Sequence, residues 1–573
     1  MREQYDVVVI GSGFGGAVTA ARLAQAGRSV CILERGRRWD KREFPRSIGQ
    51  VKNAMWRDNE SYGFIEYKVF RRMDVIQGAG VGGGSLHYFN VHLRAPRDIL
   101  ERPEWPARIK RDLMEPYYDL AQDMLDSKPL EPRLPRYPLP KRTEAFAAAA
   151  AAAGRTAERV PIAVYTGPPA PNRHSGVLQE PCDYAGDCLL GCRTHSKNTL
   201  DLTYLAMAES KYGLEICPLH SADYIEPDSA GYRVHFTRLD PEHPGRGEAG
   251  SVVGKQVVVS AGSLGSTEIL LRSRDRSKTL PRLPASLGRR FSSNGDMLFS
   301  GTLGAERAIE PGEGPSITIG ADFSRPGSRH RIYIEDLGFP NPFLWLLEGS
   351  LPSVSRSLGL VRAAGSYLGA ALGLHHKNHS RIGFESDNLF AGNRTEHFLP
   401  YLGMGTDAGD GVLSLDDNGD LDLDWDPASS MEMFLEMEQG FQELSTAGRR
   451  RQRSRRGLGP PRAVRRRLRD HPGRALGQPV DDDHRAVRAR RAVDDPRPRA
   501  RRAPRDHPAR RGRAARLRRR SGLGLSTSHN PVRVEAVPID GTTEMLGKQP
   551  RSESSRAVRA CGSSVGHRAT CRG

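Results

Sequence analysis

Residues 5–34, YDVVVIGSGFGGAVTAARLAQAGRSVCILE, constrain the fold more than any other part of the chain. A largely apolar run at 6–10 leads into a glycine-rich turn, and such a run without alternation is typical of a strand buried on both faces of a parallel sheet. A helix with a small apolar face follows, Gly27 ends it, and residues 30–33 form a second apolar run. This order predicts a βαβ unit that binds a dinucleotide.

The turn has the spacing Gly11-x-Gly13-x-x-Gly16. In such turns the first glycine permits a tight bend, the second lets backbone approach a diphosphate, and the third lets the helix pack closely on the strand. Free N–H groups at the helix start can hold the diphosphate, and Glu34 can accept hydrogen bonds from ribose hydroxyls. The spacing alone is a weak signal, but the flanking strand, helix and acid together indicate a dinucleotide site.

Two later segments combine small residues with apolar flanks. Residues 78–84 contain five glycines, which suits backbone that passes close to a flat ligand or repeatedly adopts positive φ. Residues 257–271 have the pattern of a buried strand, a small-residue turn and a helix, which brings backbone to a cofactor at the carboxyl edge of a sheet. The alternative for both segments is tight packing without a ligand.

The order of these segments resembles the glucose–methanol–choline oxidoreductases, and within them the bacterial cholesterol oxidase branch. The resemblance rests on the N-terminal fingerprint, on Gly-Val-Gly-Gly-Gly-Ser-Leu at 80–86, and on residues 191–200 and 257–271. It covers residues 5 to about 447. Two positions depart from the family pattern. Ala79 stands where a basic residue is common, and Tyr88 stands where the family has an Asn, which this chain reaches only at Asn90.

The resemblance implies FAD as the cofactor, which the fingerprint alone does not decide. It also implies an α/β fold, in which a Rossmann-like FAD-binding domain with a parallel sheet is interleaved with a substrate domain built on a mixed or antiparallel sheet. It assigns Glu34 to the ribose. The residues assigned to the diphosphate are Gly11, Ser12, Gly13, Phe14, Gly15 and Gly16. Those assigned to the flavin are Gly84, Ser85 and Asn90, and those that close the adenine side are Ala261 and Gly262.

We predict an FAD-binding domain over residues 1–290, with excursions at 40–72 and 95–190, and a substrate domain over 291–447. Residues 35–72 are expected to cross the surface rather than form the third strand of the sheet. Helices are predicted at 113–125, 143–153 and 431–446, and short strands at 316–323, 331–334, 380–384, 412–415 and 421–425. The apolar segment 342–372 either packs on the sheet or forms a lid that meets membrane lipid, and its helical faces favour packing.

The composition changes abruptly after Gly448. Residues 449–520 contain 28 Arg and seven Asp, with no Lys, Glu, Ile or aromatic residue, so this segment alone has an excess of 21 positive charges against +18 for the whole chain. Such a sequence cannot bury enough apolar surface to offset the entropy of ordering, and we predict that residues 448–573 are disordered. A GC-rich gene read one base out of register yields this residue set, so we predict a reading-frame error.

The resemblance places a catalytic His, and a partner His or Asn, within a final strand and helix in this region. Neither is recognisable, because His-Pro-Gly at 471–473 and His-Asn-Pro at 529–531 share only fragments of the expected motifs. The catalytic residues are therefore unknown. We predict that the chain as written is inactive.

Several other sites and locations are not expected. Cys182, Cys188 and Cys192 have neither zinc nor ferredoxin spacing, and the acidic turn at 416–419 lacks calcium-loop spacing, so no metal is predicted. No apolar run is long enough to span a membrane, and a core strand begins too early for a signal peptide, so a cytoplasmic location is expected. The Arg-rich segment has no aromatic interleaving, which argues against specific nucleic-acid binding.

These features predict an FAD-dependent oxidoreductase of steroid or other lipid metabolism. Its substrate would be a small apolar alcohol, with a sterol 3β-hydroxyl as the first candidate, and peripheral membrane contact would give access to it. Two alternatives stay open. One is a protein that binds FAD without turnover, and the other is a non-specific nucleic-acid binder that uses the Arg-rich segment and is therefore sensitive to salt.

Overall fold

The predicted βαβ unit is present in the computed structural model. Strand β1 (Gln4–Ile10) runs into helix α1 (Phe14–Gln25), and strand β2 (Val30–Leu33) follows. β1 pairs in parallel with β2, with Val7 opposite Val30 and Ile10 opposite Leu33. All of β2 and the last four residues of β1 are buried. The prediction of an α/β fold with a parallel sheet is confirmed.

The structure describes residues 1–56, 63–103, 105–133, 137–243, 245–302, 308–344 and 395–455, all within one unit, Met1–Arg467. The other helices of this part are α2 (Ile48–Ala54), α3 (Arg97–Leu100), α4 (Arg111–Leu125), α5 (Lys141–Ala152), α6 (Ala206–Tyr212), α7 (Gly262–Leu271) and α8 (Met431–Arg455). The other strands are β3 (Ile65–Val69), β4 (Asp74–Gly78), β5 (Lys128–Pro129), β6 (Ala157–Arg159), β7 (Pro161–Ile162), β8 (Ala170–Pro171), β9 (Leu178–Gln179), β10 (Glu215–Cys217), β11 (His220–Asp228), β12 (Gly231–Leu239), β13 (Gly247–Val259), β14 (Arg289–Phe291), β15 (Met297–Thr302), β16 (Ile319–Asp322), β17 (Ile332–Asp336), β18 (Leu399–Gly405), β19 (Gly411–Leu415) and β20 (Leu421–Asp424).

A six-stranded sheet in the order β10-β2-β1-β13-β12-β11 forms the first layer. β10, β2, β1 and the second half of β13 are parallel, whereas β11 and β12 pair antiparallel with their neighbours. Helix α1 packs on this sheet through Ala17, Ala20 and Ala21. The third parallel strand is therefore β10, and the described residues of the 35–72 segment add no strand to this sheet.

β13 changes partners along its length. Residues 247–254 pair antiparallel with β12, and residues from 253 onward pair in parallel with β1. On the side away from β1, residues 256–259 have no strand partner within the described ranges. Val257, Val258 and Val259 are only partly buried. The sheet therefore presents a short apolar edge immediately before residue 260.

A five-stranded antiparallel sheet, β15-β18-β17-β16-β6, forms the second layer and confirms the predicted second sheet. Helices α5 and α8 pack on one of its faces, where Phe146 of α5 belongs to the same buried cluster as Met437 and Phe441 of α8. The edge strand β6 and helix α5 both come from the excursion at 95–190. A smaller sheet, β14-β19-β20, packs against α7 through Leu264, Leu413 and Leu423.

Several predicted elements lie within a few residues of their expected positions. The predicted strands at 316–323, 331–334, 412–415 and 421–425 correspond to β16, β17, β19 and β20, and the predicted helices correspond to α4, α5 and α8. Helix α8 continues to Arg455, past Gly448, where the disordered tail was expected to begin. Residues 380–384, most of 342–372, and 456–573 lie outside the described residues.

A buried ion pair links α5 to the second sheet. Arg142 Nε lies 3.0 Å from an Asp336 carboxylate oxygen, and both side chains are fully buried. The guanidinium also donates to the carbonyls of Glu313 and Pro315. Asp336 in turn accepts hydrogen bonds from the N–H and hydroxyl groups of Thr318. All these partners are fixed by the fold, so neither charge has access to water.

Arg142→Met is expected to destabilise the chain by about 3–5 kcal/mol, because it leaves the Asp336 carboxylate buried without its cation. Arg155→Met is the matched control, since Arg155 pairs with Glu443 at 3.5 Å on a half-exposed surface and should cost less than about 1 kcal/mol. Urea unfolding followed by circular dichroism measures both. Equal shifts in the two variants would contradict a structural role for the buried pair.

Candidate cofactor and substrate sites

A cleft of about 1360 Å3 opens where β1, β2 and β13 end. The residues that follow these strands line it, including Gly11, Glu34 and Ser260, and the N-termini of α1 and α7 reach it. The hairpins β3–β4 and β19–β20 contribute further walls. The carboxyl edge of a parallel sheet is where ligands bind in α/β folds.

Each of the three glycines of the first turn is required for a different structural reason. Gly11 has φ of +92°, and a Cβ there would lie 2.5 Å from Ser260 O. A Cβ on Gly16 would lie 1.9 Å from Gly11 O, so this glycine permits the close contact between α1 and β1. A Cβ on Gly13 would meet only Gly83 Cα, at 4.0 Å. Gly13 is therefore the one of the three whose missing side chain leaves space on the cleft side.

The N-terminus of α1 offers donors to a ligand. Gly13 is the N-cap residue and provides no side-chain cap, and the Ala17 N–H bonds to Gly13 O at 2.8 Å. The N–H groups of residues 14–16 precede this first helical bond and remain available to an anion. Phe14, Gly15 and Ser12 also line the cleft. A diphosphate suits this wall in charge and in size.

Glu34 is buried and ties the end of β2 to the first turn. Its carboxylate accepts the Ser12 N–H at 3.0 Å, the Ser12 hydroxyl at 2.6 Å and the Gly36 N–H at 2.9 Å. Burial raises the pKa of Glu34, while these hydrogen bonds oppose that rise. Glu34 thus holds Ser12 in place and also lines the cleft.

Some of the predicted cofactor residues lie on the cleft wall and others lie behind it. Of the residues predicted near the flavin and the adenine, Gly84, Ala261 and Gly262 line the cleft, whereas Ser85 and Asn90 do not. Gly16 of the first turn does not line it either. The Ser85 hydroxyl donates to Gly82 O at 2.7 Å and accepts the Leu200 N–H at 3.0 Å.

Asn90 adopts a left-handed conformation with φ of +70°. Its Nδ2 donates to Cys188 Sγ at 3.1 Å. Its Oδ1 is buried and forms no hydrogen bond among the described residues. Asn90 is the one predicted flavin residue that keeps such an unsatisfied acceptor.

A set of charged side chains on the cleft wall was not predicted. Arg35 pairs with Glu66 of β3, Gln77 of β4 donates to Glu66 at 2.5 Å, and Lys68 lies 3.8 Å from Glu268 of α7. Burial raises the pKa of Glu66, but Arg35, Lys68 and Gln77 together outweigh this effect, so that the pKa is lowered overall. These contacts fasten the β3–β4 hairpin over the cleft. The alternation of Glu66 and Lys68 in the sequence could have indicated a strand with charged side chains on one face. It was missed because residues 35–72 were interpreted as a surface connection.

Two basic residues near Gly84 were also not predicted. His87 lines the cleft, and its Nε2 forms no hydrogen bond within the described part of the chain. Burial, and then the charge of Lys197, lower the pKa of His87 to about 3, so its imidazole is neutral. Lys197 is buried behind this wall.

Glu335 marks a second candidate site, on the antiparallel sheet. It is 1% exposed, and both carboxylate oxygens are buried without a hydrogen bond to any described residue. Burial raises its pKa to about 8, with Asp336 and Asp296 adding to the effect. Glu335 therefore carries a proton at neutral pH and can donate a hydrogen bond.

Strand alternation places Glu335 on the apolar face of its sheet. It shares a face of β17 with Tyr333, two residues away, and it lies opposite Leu402 of β18. Leu402 belongs to a buried apolar cluster against which Tyr333, Phe89 and Val91 also pack. Phe89 and Val91 flank Asn90 in the sequence. A protonated carboxyl group and the Asn90 segment thus border one apolar cluster.

Within the described ranges, no group of three or more metal-ligating side chains is present, and no helix there combines the length and apolarity needed to cross a membrane. Cys188 and Cys192 are free thiols. Cys192 contacts the hydroxyls of Thr194 and Ser196, both at 3.3 Å.

Comparison with known proteins gives a consistent result. The family model of GMC oxidoreductases matches residues 5–291. A cholesterol oxidase from Mycobacterium tuberculosis is 31% identical over 333 residues, which cover 56% of each chain. A cholesterol oxidase from Acinetobacter baumannii is 31% identical over 325 residues, which cover 52% of this chain and 55% of that protein. A long-chain-alcohol oxidase from Arabidopsis thaliana is 25% identical over 291 residues, which cover 49% and 36%. The chain spans about half the length of the curated cholesterol oxidases it matches.

Proposed function

The chain belongs to the GMC oxidoreductase family, and on that premise we propose that its cleft holds FAD and that its fold serves the oxidation of an apolar alcohol, with a sterol 3β-hydroxyl as the first candidate. The observation that carries the substrate class is Glu335, a buried proton donor beside an apolar cluster. The similarity to two cholesterol oxidases and to a long-chain-alcohol oxidase supports the same class.

The cleft residues fit FAD. The space at Gly13 and the free N–H groups of α1 suit its diphosphate, and Glu34 at the end of β2 suits its ribose. Gly84, Ala261 and Gly262 bring backbone to the remaining walls. We assign the twelve residues named from the sequence to this site, with Gly16, Ser85 and Asn90 acting from behind the cleft wall. Bound flavin supplies a hydride acceptor.

The protein's own contribution is orientation and exclusion of water. The apolar cluster of β17 and β18 would receive the hydrocarbon part of the alcohol, and the neutral Glu335 carboxyl would donate a hydrogen bond to its oxygen. His87, which is neutral, would border the ring without adding charge. A base that removes the hydroxyl proton is not among the residues we assign, so an FAD-binding protein without turnover is the second candidate.

Sterol binding provides the test, because it does not require turnover. Cholesterol should perturb the absorbance of bound flavin, whereas glucose, choline and methanol should not, since the proposed binding face is apolar. Glu335→Leu should weaken cholesterol binding by up to about tenfold, the value of one hydrogen bond, and should leave the 3-deoxy analogue unaffected. Glu335→Gln is the matched control that keeps a donor.

Tight choline binding with no response to cholesterol would count against a sterol. An equal loss for cholesterol and its 3-deoxy analogue in Glu335→Leu would assign Glu335 to packing rather than to the hydroxyl.

A further inference from the structure

Lys197 is a buried cation with no ion pair among the described residues, although Asp201 attracts it through space. Its side chain is 1% exposed, and no carboxylate of the described residues pairs with it. An ammonium group in such surroundings is costly unless its charge is compensated. Burial lowers the pKa of Lys197 only to about 8, so most of it stays charged at pH 7.

The hydrogen bonds of Lys197 fix its position. Its Nζ donates to Leu86 O at 3.1 Å, Tyr88 O at 2.7 Å and Cys188 O at 2.9 Å, and it lies 4.7 Å from the centroid of the Tyr88 ring. An ammonium has three N–H donors, and all three are used here. Lys197 therefore has no hydrogen bond left for a ligand, and its charge can act on one only through space.

The loop that Lys197 holds forms part of the cleft wall. Leu86 and Tyr88, whose carbonyls it binds, flank His87, which lines the cleft together with Gly84. The Lys197 charge reaches this wall, because it contributes to the lowered pKa of His87. A positive charge fixed in a buried, low-dielectric position interacts strongly with charge that develops nearby.

We propose that Lys197 is a positioning residue whose fixed positive charge stabilises the negative charge that a flavin bound against the Gly84–His87 wall gains when it accepts electrons or an anion. The proposal rests on the proposed function above, since it needs FAD in the cleft. Two roles are combined: the three hydrogen bonds shape residues 86–88, and the charge acts on the ring.

Sulfite is the probe that separates these roles, because its addition to oxidised flavin creates negative charge on the ring without requiring a catalytic base. Lys197→Gln keeps hydrogen-bond donors and removes the charge, Lys197→Arg keeps the charge, and Lys211→Gln changes an exposed lysine that donates to His174 O. We expect Lys197→Gln to retain FAD and to bind sulfite at least about tenfold more weakly, a loss of about 1.4 kcal/mol. The Arg variant and the Lys211 variant should stay near the wild type.

A second variant covers the case in which Lys197→Gln fails to fold. Cys188→Asp would place a carboxylate beside Lys197 while leaving its three carbonyl contacts, and it should lower sulfite affinity in the same direction. Unchanged sulfite affinity in Lys197→Gln or in Cys188→Asp, at full FAD occupancy, overturns the proposal. A wild-type chain that retains no flavin would instead refute the proposed function, so the two failures are distinguishable.

Discussion

Gly13→Val is expected to abolish FAD retention while leaving the fold intact. A Cβ at this position would meet nothing nearer than Gly83 Cα, at 4.0 Å, so the valine has room, and the room it takes is where the diphosphate must approach. A loss of more than about 100-fold in affinity, ~2.7 kcal/mol, is expected. Fluorescence of flavin released from the purified protein, with nucleotide analysis for NAD, measures it.

Two other glycines make this result interpretable. Gly16→Val should unfold the chain, because its Cβ would lie 1.9 Å from Gly11 O, whereas Gly49→Val, with nothing within 4 Å of the added Cβ, should change neither stability nor FAD content. Thermal melting of the flavin-free proteins separates the three cases. Stoichiometric FAD in Gly13→Val, or NAD and no flavin in the wild type, would refute the cofactor assignment.

The 573-residue chain is expected to show no oxidation of cholesterol even when it is fully loaded with FAD. The sequence after Gly448 lacks a recognisable catalytic His and its partner, and a general base contributes about 10²- to 10⁴-fold to such reactions. Hydrogen peroxide production and oxygen uptake measure the activity. A chain expressed from a gene with the reading frame restored after codon 448 is the matched control, and it should exceed the present chain by at least about 100-fold.

Resequencing around codon 448 tests the cause independently. We expect an alternative frame to encode a His-Pro-Leu-Gly-Gly-like stretch and a later Asn-Pro. Robust cholesterol oxidation by the present chain would contradict the prediction. So would a confirmed frame in which neither alternative encodes these motifs. Within the described ranges, residues 257–259 of β13 have no partner on one side, and we expect low solubility for the present chain, because an unpaired strand edge recruits other chains.

Local chemistry explains which parts of the site could be predicted from the sequence. The roles of Gly11, Gly13 and Gly16 could be predicted because each depends only on a few neighbouring residues. Glu34 could be predicted because it follows at the end of the next strand. Gly84, Ala261 and Gly262 were placed through family resemblance and do line the cleft. Their contact with FAD stays a prediction, as do the proposed domain boundaries.

The residues that were missed depend on contacts distant in sequence. Arg142 meets Asp336 only because α5 packs on β16 and β17. Glu335 became conspicuous only when strand pairing placed it beside Leu402, where no described residue gives it a hydrogen bond. Lys197 lies in the 191–200 segment that carries the family resemblance, but its role became visible only with its three carbonyl partners. Periodicity reports which face is buried, but it does not report which buried polar group lacks a partner.

The pairing of β1 with β13 bears on how the chain matures during synthesis. Val253 of β13 lies opposite Gln4 of β1, so β1 emerges from the ribosome roughly 250 residues before its partner, which corresponds to about 12–50 s at typical elongation rates. The second sheet has a shorter delay of its own, because Arg159 of β6 pairs with Ile319 of β16, roughly 160 residues later, which corresponds to about 8–32 s. Neither sheet can form completely until the later strand has been synthesised, and such non-local pairing slows folding. The nascent chain therefore exposes apolar strands for a long interval, and its yield should depend on chaperones that bind it before residue 259 has been translated.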